Sequence, residues 1–208
     1  MRQALVIDLD GTLVDVNTFR EYIVFAAKEA VKSGRPEIAA RMAMAVALRK
    51  ARMISHSCMK RNILHASGRL MNAERLGRFV DILLKNVNLN VAQLVTQKHA
   101  EGWFVCLATA APENYAEVFA RNFPFDSVCA TPMPEGGEVW RENVGEVKRD
   151  RVVELLRQND ARLSIFVTDH YDDLPLLALE KDTNNLVKPS CQTLEACRSL
   201  GIPFRIMT

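Results

Sequence analysis

Leu5-Val6-Ile7-Asp8-Leu9-Asp10-Gly11-Thr12-Leu13 is the stretch on which the reading of this chain turns. An apolar run ends in two aspartates one residue apart and then meets a glycine. Residues 4–9 read as a buried strand, because a short apolar run bounded by turn signals has that character. Side chains alternate along a strand, so Asp8 and Asp10 are expected to point the same way at its C-terminal end. Two like charges held that close repel unless a cation or a shared proton lies between them. Gly11 permits an immediate tight turn. The combination predicts a metal-dependent site, placed where open α/β sheets bind ligands.

The rest of the chain bounds what can surround such a site. Its 208 residues suit one domain with a sizeable insertion, or two small domains. A hydrophobic share of 49 % and a charged share of 25 % are ordinary for a soluble globular protein, and no repeat or low-complexity tract interrupts them. The cysteines at 58, 106, 129, 191 and 197 are odd in number and lack framework spacing. Cys106 falls inside an apolar strand pattern and reads as a small core residue. Together they predict a reducing, cytoplasmic setting with no disulfide or zinc. No signal peptide is expected, since Val6 and Ile7 run into acids rather than a small-residue cleavage site. The apolar run at 42–48 is too short to span a bilayer and meets Arg49-Lys50.

Charge is unevenly placed. Residues 16–87 hold 14 Lys and Arg against 5 Asp and Glu, a net of +9 in a chain whose total is +2, which leaves −7 elsewhere. A basic segment beside an acidic site predicts an anionic ligand, here a substrate with additional negative charge. A solvated helix surface is the plainer account of the same numbers. Arg20, Glu21, Lys60 and Arg61 are candidate contacts on this segment, each also explicable as a solvated helix residue.

From about 17 to 87 the pattern is helical throughout. Asn17 or Thr18 can cap a helix reaching Ser33-Gly34, Pro36 suits the first turn of a second, Ser55 can cap a third ending near Ser67-Gly68, and Asn72 a fourth. After Asn90 strands and helices alternate: helix 91–100, strand 103–108, helix 112–121, strand 127–130, a turn at 134–137, helix 149–158, strand 163–167, helix 174–179, strand 186–188, helix 193–200 and a last strand at 204–207. That alternation predicts a parallel α/β sheet. The helical segment is then an insertion after the first strand, placed as a lid over the C-terminal edge of the sheet.

Three more positions follow predicted strands. Thr109, in Leu-Ala-Thr-Ala-Ala-Pro, offers a hydroxyl at a strand end, and the Ala110 N–H beside it would help bind a phosphate oxygen at a helix start; an N-cap threonine is the simpler alternative. Lys148 near a helix start is unfavourable with the helix dipole, a cost an acidic phosphate site would offset. Asp169 ends the strand Ser-Ile-Phe-Val-Thr, and Asp173 stands four residues on. Carboxylates so placed can hold Mg²⁺, which takes few protein ligands and keeps its waters, although Asp172 or Asp173 can also serve as a helix cap.

In this order the motifs resemble those of the haloacid dehalogenase superfamily. Asp8-Leu-Asp10-Gly11-Thr12 is similar to its first motif, Thr109 to the second, Lys148 to the third, and Asp169 with Asp173 to the fourth. The inserted helices, the Thr-Ala-Ala-Pro-Glu form of the second motif and Asp-Leu-Pro-Leu-Leu after the fourth resemble the phosphoserine-phosphatase-like branch most. The resemblance implies a Rossmann-like three-layer core of residues 1–15 and 88–208 with an all-helical cap of residues 16–87. It implies that Asp8 is nucleophile and Mg²⁺ ligand, and that Asp10 is general acid/base and binds the metal through its backbone carbonyl. Thr109, Ala110 and Lys148 then hold the phosphoryl group, Asp169 binds Mg²⁺, and Asp173 supports it directly or through water. His170 departs from the small residue of many relatives.

The activity implied is a Mg²⁺-dependent phosphatase acting on a small-molecule phosphate monoester through an aspartyl-phosphate. An acid at position 10 suits ester hydrolysis, whereas halide release needs none. A phosphotransferase or phosphomutase of the same fold is one alternative, and a non-catalytic module binding a phosphorylated ligand or anionic surface is another. The mixed face of Met42–Arg52 fits a lid helix better than membrane contact, and no basic-aromatic pattern points to nucleic acid.

Overall fold

The structure, a computed structural model, describes residues 1–134 and 139–207. Strand β1 (Arg2–Ile7) is followed by five helices: α1 (Thr18–Lys32), α2 (Pro36–Lys50), α3 (His56–Ser67), α4 (Ala73–Leu84) and α5 (Leu89–Ala100). Alternating elements complete the chain: β2 (Phe104–Pro112), α6 (Glu113–Ala120), β3 (Ser127–Thr131), α7 (Gly145–Gln158), β4 (Ala161–Thr168), a 3₁₀ turn (Tyr171–Asp173), α8 (Leu174–Leu177), β5 (Thr183–Val187), α9 (Cys191–Ser199) and β6 (Arg205–Met207).

The six strands form one parallel sheet in the order β3-β2-β1-β4-β5-β6. β1 sits in the middle, with Ile7 paired to Leu107 of β2 and Val167 of β4. A strand flanked on both sides and covered on both faces must be apolar throughout, and Ala4, Leu5, Val6 and Ile7 are all fully buried. Alternation divides them between two cores. Leu5 and Ile7 pack with Val91 and Val95 of α5 and Tyr115 and Phe119 of α6. Ala4 and Val6 pack on the other face with Val152 and Leu156 of α7, Leu176 of α8 and Cys197 of α9. The result is the three-layer α/β fold expected from the sequence, with the helical insertion after β1. The chain leaves β1 toward β2 and β3 on one side and later returns to β4 on the other. The C-terminal end of β1 is therefore the topological switch point.

Local chemistry sets the inserted helices. The side chains of Asn17, Ser55 and Asn72 accept from the backbone N–H groups of Arg20, Cys58 and Arg75, each three residues on, and Pro36 opens α2. Aromatic packing then seats them on the sheet layer: Tyr22 of α1 and Phe79 of α4 both contact Tyr115 of α6, with ring centroids 5.4 and 5.2 Å away. Glu29 of α1, 5 % exposed, is gripped by Arg78 at 2.7 Å and Arg75 at 3.3 Å from α4. Part of the basic excess thus serves helix pairing.

Several boundaries differ from the sequence reading. β1 ends at Ile7, not at residue 9, because the chain folds back at once: Gly11 N–H donates to Val14 O and Val14 N–H to Leu9 O. β2 runs through Pro112, where a helix was expected to begin, because Pro112 still lies opposite Thr131 of β3. α7 starts at Gly145, four residues before the expected 149. The turn expected at 134–137 lies, from residue 135 onward, outside the described residues. Among the described residues no helix is long and apolar enough to cross a membrane, and all five cysteines are free.

Candidate active site

Asp8 directly follows β1, and its N–H still donates to Val167 O of β4 at 2.9 Å. Its carboxylate therefore stands at the sheet edge. Lys148, in the first turn of α7, reaches across to it: Lys148 Nζ lies 2.7 Å from Asp8 Oδ1. The same ammonium lies 2.8 and 2.9 Å from the two oxygens of Asp173, and Thr168 Oγ1 donates to Asp173 Oδ2 at 2.7 Å. All three charged residues are buried. Folding thus gathers the first, third and fourth sequence positions into one contact network across 140 residues of chain separation.

Asp169 meets the first loop from the β4 side. Gly11 adopts φ +70°, and a Cβ there would lie 2.7 Å from Asp169 Cγ. Thr12 Oγ1 approaches Asp169 Oδ1 at 3.4 Å. Asp10 is tied to the insertion, since its Oδ1 accepts from the Thr18 N–H at the start of α1. Thr18 Oγ1 in turn shares a hydrogen bond of 2.9 Å with the Tyr115 hydroxyl.

Burial raises the carboxyl pKa of Asp10, against the pull of the Thr18 N–H. Burial also pushes Asp8 up to about 8, Lys148 pulling it back and Asp173 and Asp10 pushing it further. Asp169 rises to about 6 through burial, with Asp173 and Asp10 adding to it and His170 opposing. Burial alone would lower Lys148, but Asp173 and Asp8 together outweigh it and hold the ammonium above the usual lysine range. One lysine therefore does not bring these carboxyls back to the ordinary range, and a retained proton or a further cation would relieve them.

The residues present fit Mg²⁺. Among the described residues no three His, Cys, Asp or Glu side chains form a metal-holding group. Asp173 also meets Lys148: both its oxygens are engaged by that ammonium, and one also by Thr168. Its chemistry here is that of a lysine partner. Asp8 and Asp169 line the same cavity, and Mg²⁺ is commonly held by one or two carboxylates plus water.

Thr109 also differs from expectation. It is fully buried and does not line the cavity, and its Oγ1 accepts from the Ala111 N–H at 2.9 Å. The nearest helix, α6, begins four residues later, so Ala110, which does line the cavity, is not at a helix start. The cavity itself is about 700 Å³ and is bordered by Asp8, Asp10, Lys148 and Asp169 as well as by inserted residues. A second hollow of about 500 Å³, between α6 and α7 at the β3 edge, holds none of these four. His170 lines the main cavity, but its Nδ1 accepts from the Asp172 N–H at 3.2 Å and caps the 3₁₀ turn.

Lys60, a candidate contact from the sequence, lines the same cavity, in a polar cluster whose other members sequence reasoning missed. Lys60 is 3 % exposed, not solvated; its Nζ donates to Glu142 Oε1 and, at 2.7 Å, to Ala110 O. Ser57 Oγ donates to Glu142 Oε2 at 2.9 Å. Asn143 is fully buried and its Nδ2 donates to Thr109 O and Cys129 O, both at 2.9 Å, joining the ends of β2 and β3. The signal for Lys60 was present: it shares the helical face of Met59, Ile63 and Leu64. Of the 14 lysines and arginines in residues 16–87, Lys60 is the one that lines this cavity; Arg20, Arg61 and Glu21 do not line it.

The model for haloacid dehalogenase-like hydrolases matches residues 5–178. The chain belongs to that family. A protein of unknown function from Bordetella pertussis Tohama I has a similar structure over 100 % of this chain and 99 % of its own, at 20 % identity and TM-score 0.79. A phosphoserine phosphatase solved as a phospho-aspartyl intermediate analogue matches over 99 % of this chain and 92 % of its own, at 14 % identity and TM-score 0.61. A probable phosphoserine phosphatase from Vibrio cholerae matches over 93 % of this chain but 59 % of its own length, at 16 % identity and TM-score 0.66. At these identities the likeness is one of fold. No curated protein matches the sequence significantly.

Proposed function

We propose that this family member is a Mg²⁺-dependent phosphatase that hydrolyses a small-molecule phosphate monoester through an aspartyl-phosphate on Asp8. The observation that carries the reading is the Lys148 ammonium held between Asp8 and Asp173 at the switch point of the sheet. Residues 1–15 and 88–208 form the catalytic core in this reading, and residues 16–87 the cap that encloses the substrate. The setting is cytoplasmic.

Asp8 attacks phosphorus, forming its Oδ–P bond as the bond to the leaving oxygen breaks. Asp10 donates its proton to that oxygen. Its raised pKa favours the protonated start this step needs, and the Thr18 N–H keeps the carboxyl oriented. Lys148 offsets charge on the phosphoryl oxygens while Asp173 and Thr168 hold it in place. Asp10 then takes a proton from the water that attacks phosphorus, releasing phosphate and restoring Asp8. Asp8, Asp169 and the Asp10 carbonyl would hold Mg²⁺, which when bound neutralises phosphoryl charge and orients the group.

The test is phosphate release from 4-nitrophenyl phosphate. Activity is expected with Mg²⁺, is lost in excess EDTA, and falls by about 10³-fold or more in Asp8→Asn, since the attacking carboxylate is gone. Undiminished turnover in Asp8→Asn would remove the nucleophile assignment, and undiminished turnover in EDTA the metal assignment.

A further inference from the structure

The cavity wall contributed by the insertion consists of Val16, Asn17, Phe19, His56, Ser57 and Lys60. Its one lysine is not a free cation. The Lys60 ammonium is buried against Glu142, donates to Ala110 O at 2.7 Å, and lies 5.0 Å from the centre of the Phe19 ring. Both oxygens of Glu142 are occupied, one by Lys60 and one by Ser57. An ammonium already met by a carboxylate in contact presents little net field to a third charge. His56 is biased toward its neutral form, its imidazole pushed below the ordinary histidine range by partial burial despite the opposing pull of Glu142. Asp15, paired with Lys188 at 2.8 Å, and Asp172 border the same cavity on the core side. A second anion on the substrate would therefore lose hydration and find no unpaired cation on this wall.

We propose that Glu142, by holding Lys60, sets the substrate class: phosphate monoesters whose alcohol portion carries no second anion. This rests on the phosphatase reading and narrows it. It also reverses the expectation raised by the basic count of the insertion, because that charge lies almost wholly off the cavity.

A pair of substrates of nearly the same shape but different charge tests it: 4-(carboxymethyl)phenyl phosphate and its primary amide, assayed by phosphate release with Mg²⁺ present. The insulating methylene keeps the two leaving groups alike. The wild-type protein is expected to show kcat/KM at least roughly tenfold higher for the amide, the scale of an unfavourable charge placement. Glu142→Gln frees the Lys60 charge and is expected to shrink or reverse that ratio. Equal or faster hydrolysis of the carboxylate by the wild type overturns the inference and leaves the phosphatase reading standing. An unchanged ratio in folded Glu142→Gln removes the role of Glu142. Failure to release phosphate from these esters and from 4-nitrophenyl phosphate defeats the phosphatase reading itself. Should Glu142→Gln not fold, the wild-type ratio alone still decides the substrate class.

Discussion

Gly11 carries two demands that no other residue meets together. Its φ of +70° lies in the left-handed region, and any Cβ would press into the Asp169 carboxylate. The positive φ alone costs a residue with a side chain about 1–2 kcal/mol. The steric contact is relieved by turning the Asp169 carboxylate aside, which would displace a proposed metal ligand. Gly11→Ala is therefore expected to lower kcat/KM by about 100-fold or more while destabilising the fold by a few kcal/mol at most. Steady-state kinetics alongside urea denaturation would separate the two effects, and near-normal kinetics would mean that Asp169 does not need its present position. The role of Gly11 as a turn residue was legible in the sequence. Its contact with Asp169 was not, since 158 positions separate the two and only the pairing of β1 with β4 brings them together.

Elements were legible in proportion to how locally they are encoded. The caps at Asn17, Ser55 and Asn72 and the proline opening α2 act within three residues, so the helix starts they mark fell where expected. The central strands were visible because burial on both faces makes them continuous apolar runs. The start of α7 was hidden: Gly145-Glu-Val-Lys148 shows no apolar periodicity, and Lys148 is buried for electrostatic rather than hydrophobic reasons. Likewise, the charge surplus of residues 16–87 could not be assigned a face until α1 and α4 were paired. That pairing yields its own prediction. Glu29 is buried on α1 and its carboxylate accepts from Arg78 while Arg75 closes on it. Glu29→Gln keeps the shape but weakens charge-assisted bonds, and an expected loss of about 1–3 kcal/mol in denaturant unfolding follows, with turnover below the transition retained. A variant as stable as the wild type would show the clamp to be idle.

At the scale of the whole molecule, the proposed active site is a source of instability that a bound cation should relieve. Asp8 and Asp169 hold their protons to about pH 8 and about pH 6, well above the ordinary carboxylate value, with burial as the leading cause in both. In the metal-free protein the folded state then keeps protons that the unfolded chain has released. Stability must fall as pH rises from about 4 through this window, since unfolding becomes easier wherever the folded state binds more protons. A cation that binds only the folded, ionised cluster acts in the opposite sense, by mass action. Melting curves at pH 5.5 and pH 8, each with Mg²⁺ and with EDTA, are expected to show a larger Mg²⁺-dependent rise in Tm at pH 8. The rise should disappear in Asp169→Asn, which removes a ligand. It should survive in Asp173→Asn, because both oxygens of that carboxylate already meet Lys148. A Mg²⁺ shift lost equally in both variants would restore Asp173 to the ligand set, and a shift larger at pH 5.5 than at pH 8 would show that these carboxylates do not bind the ion.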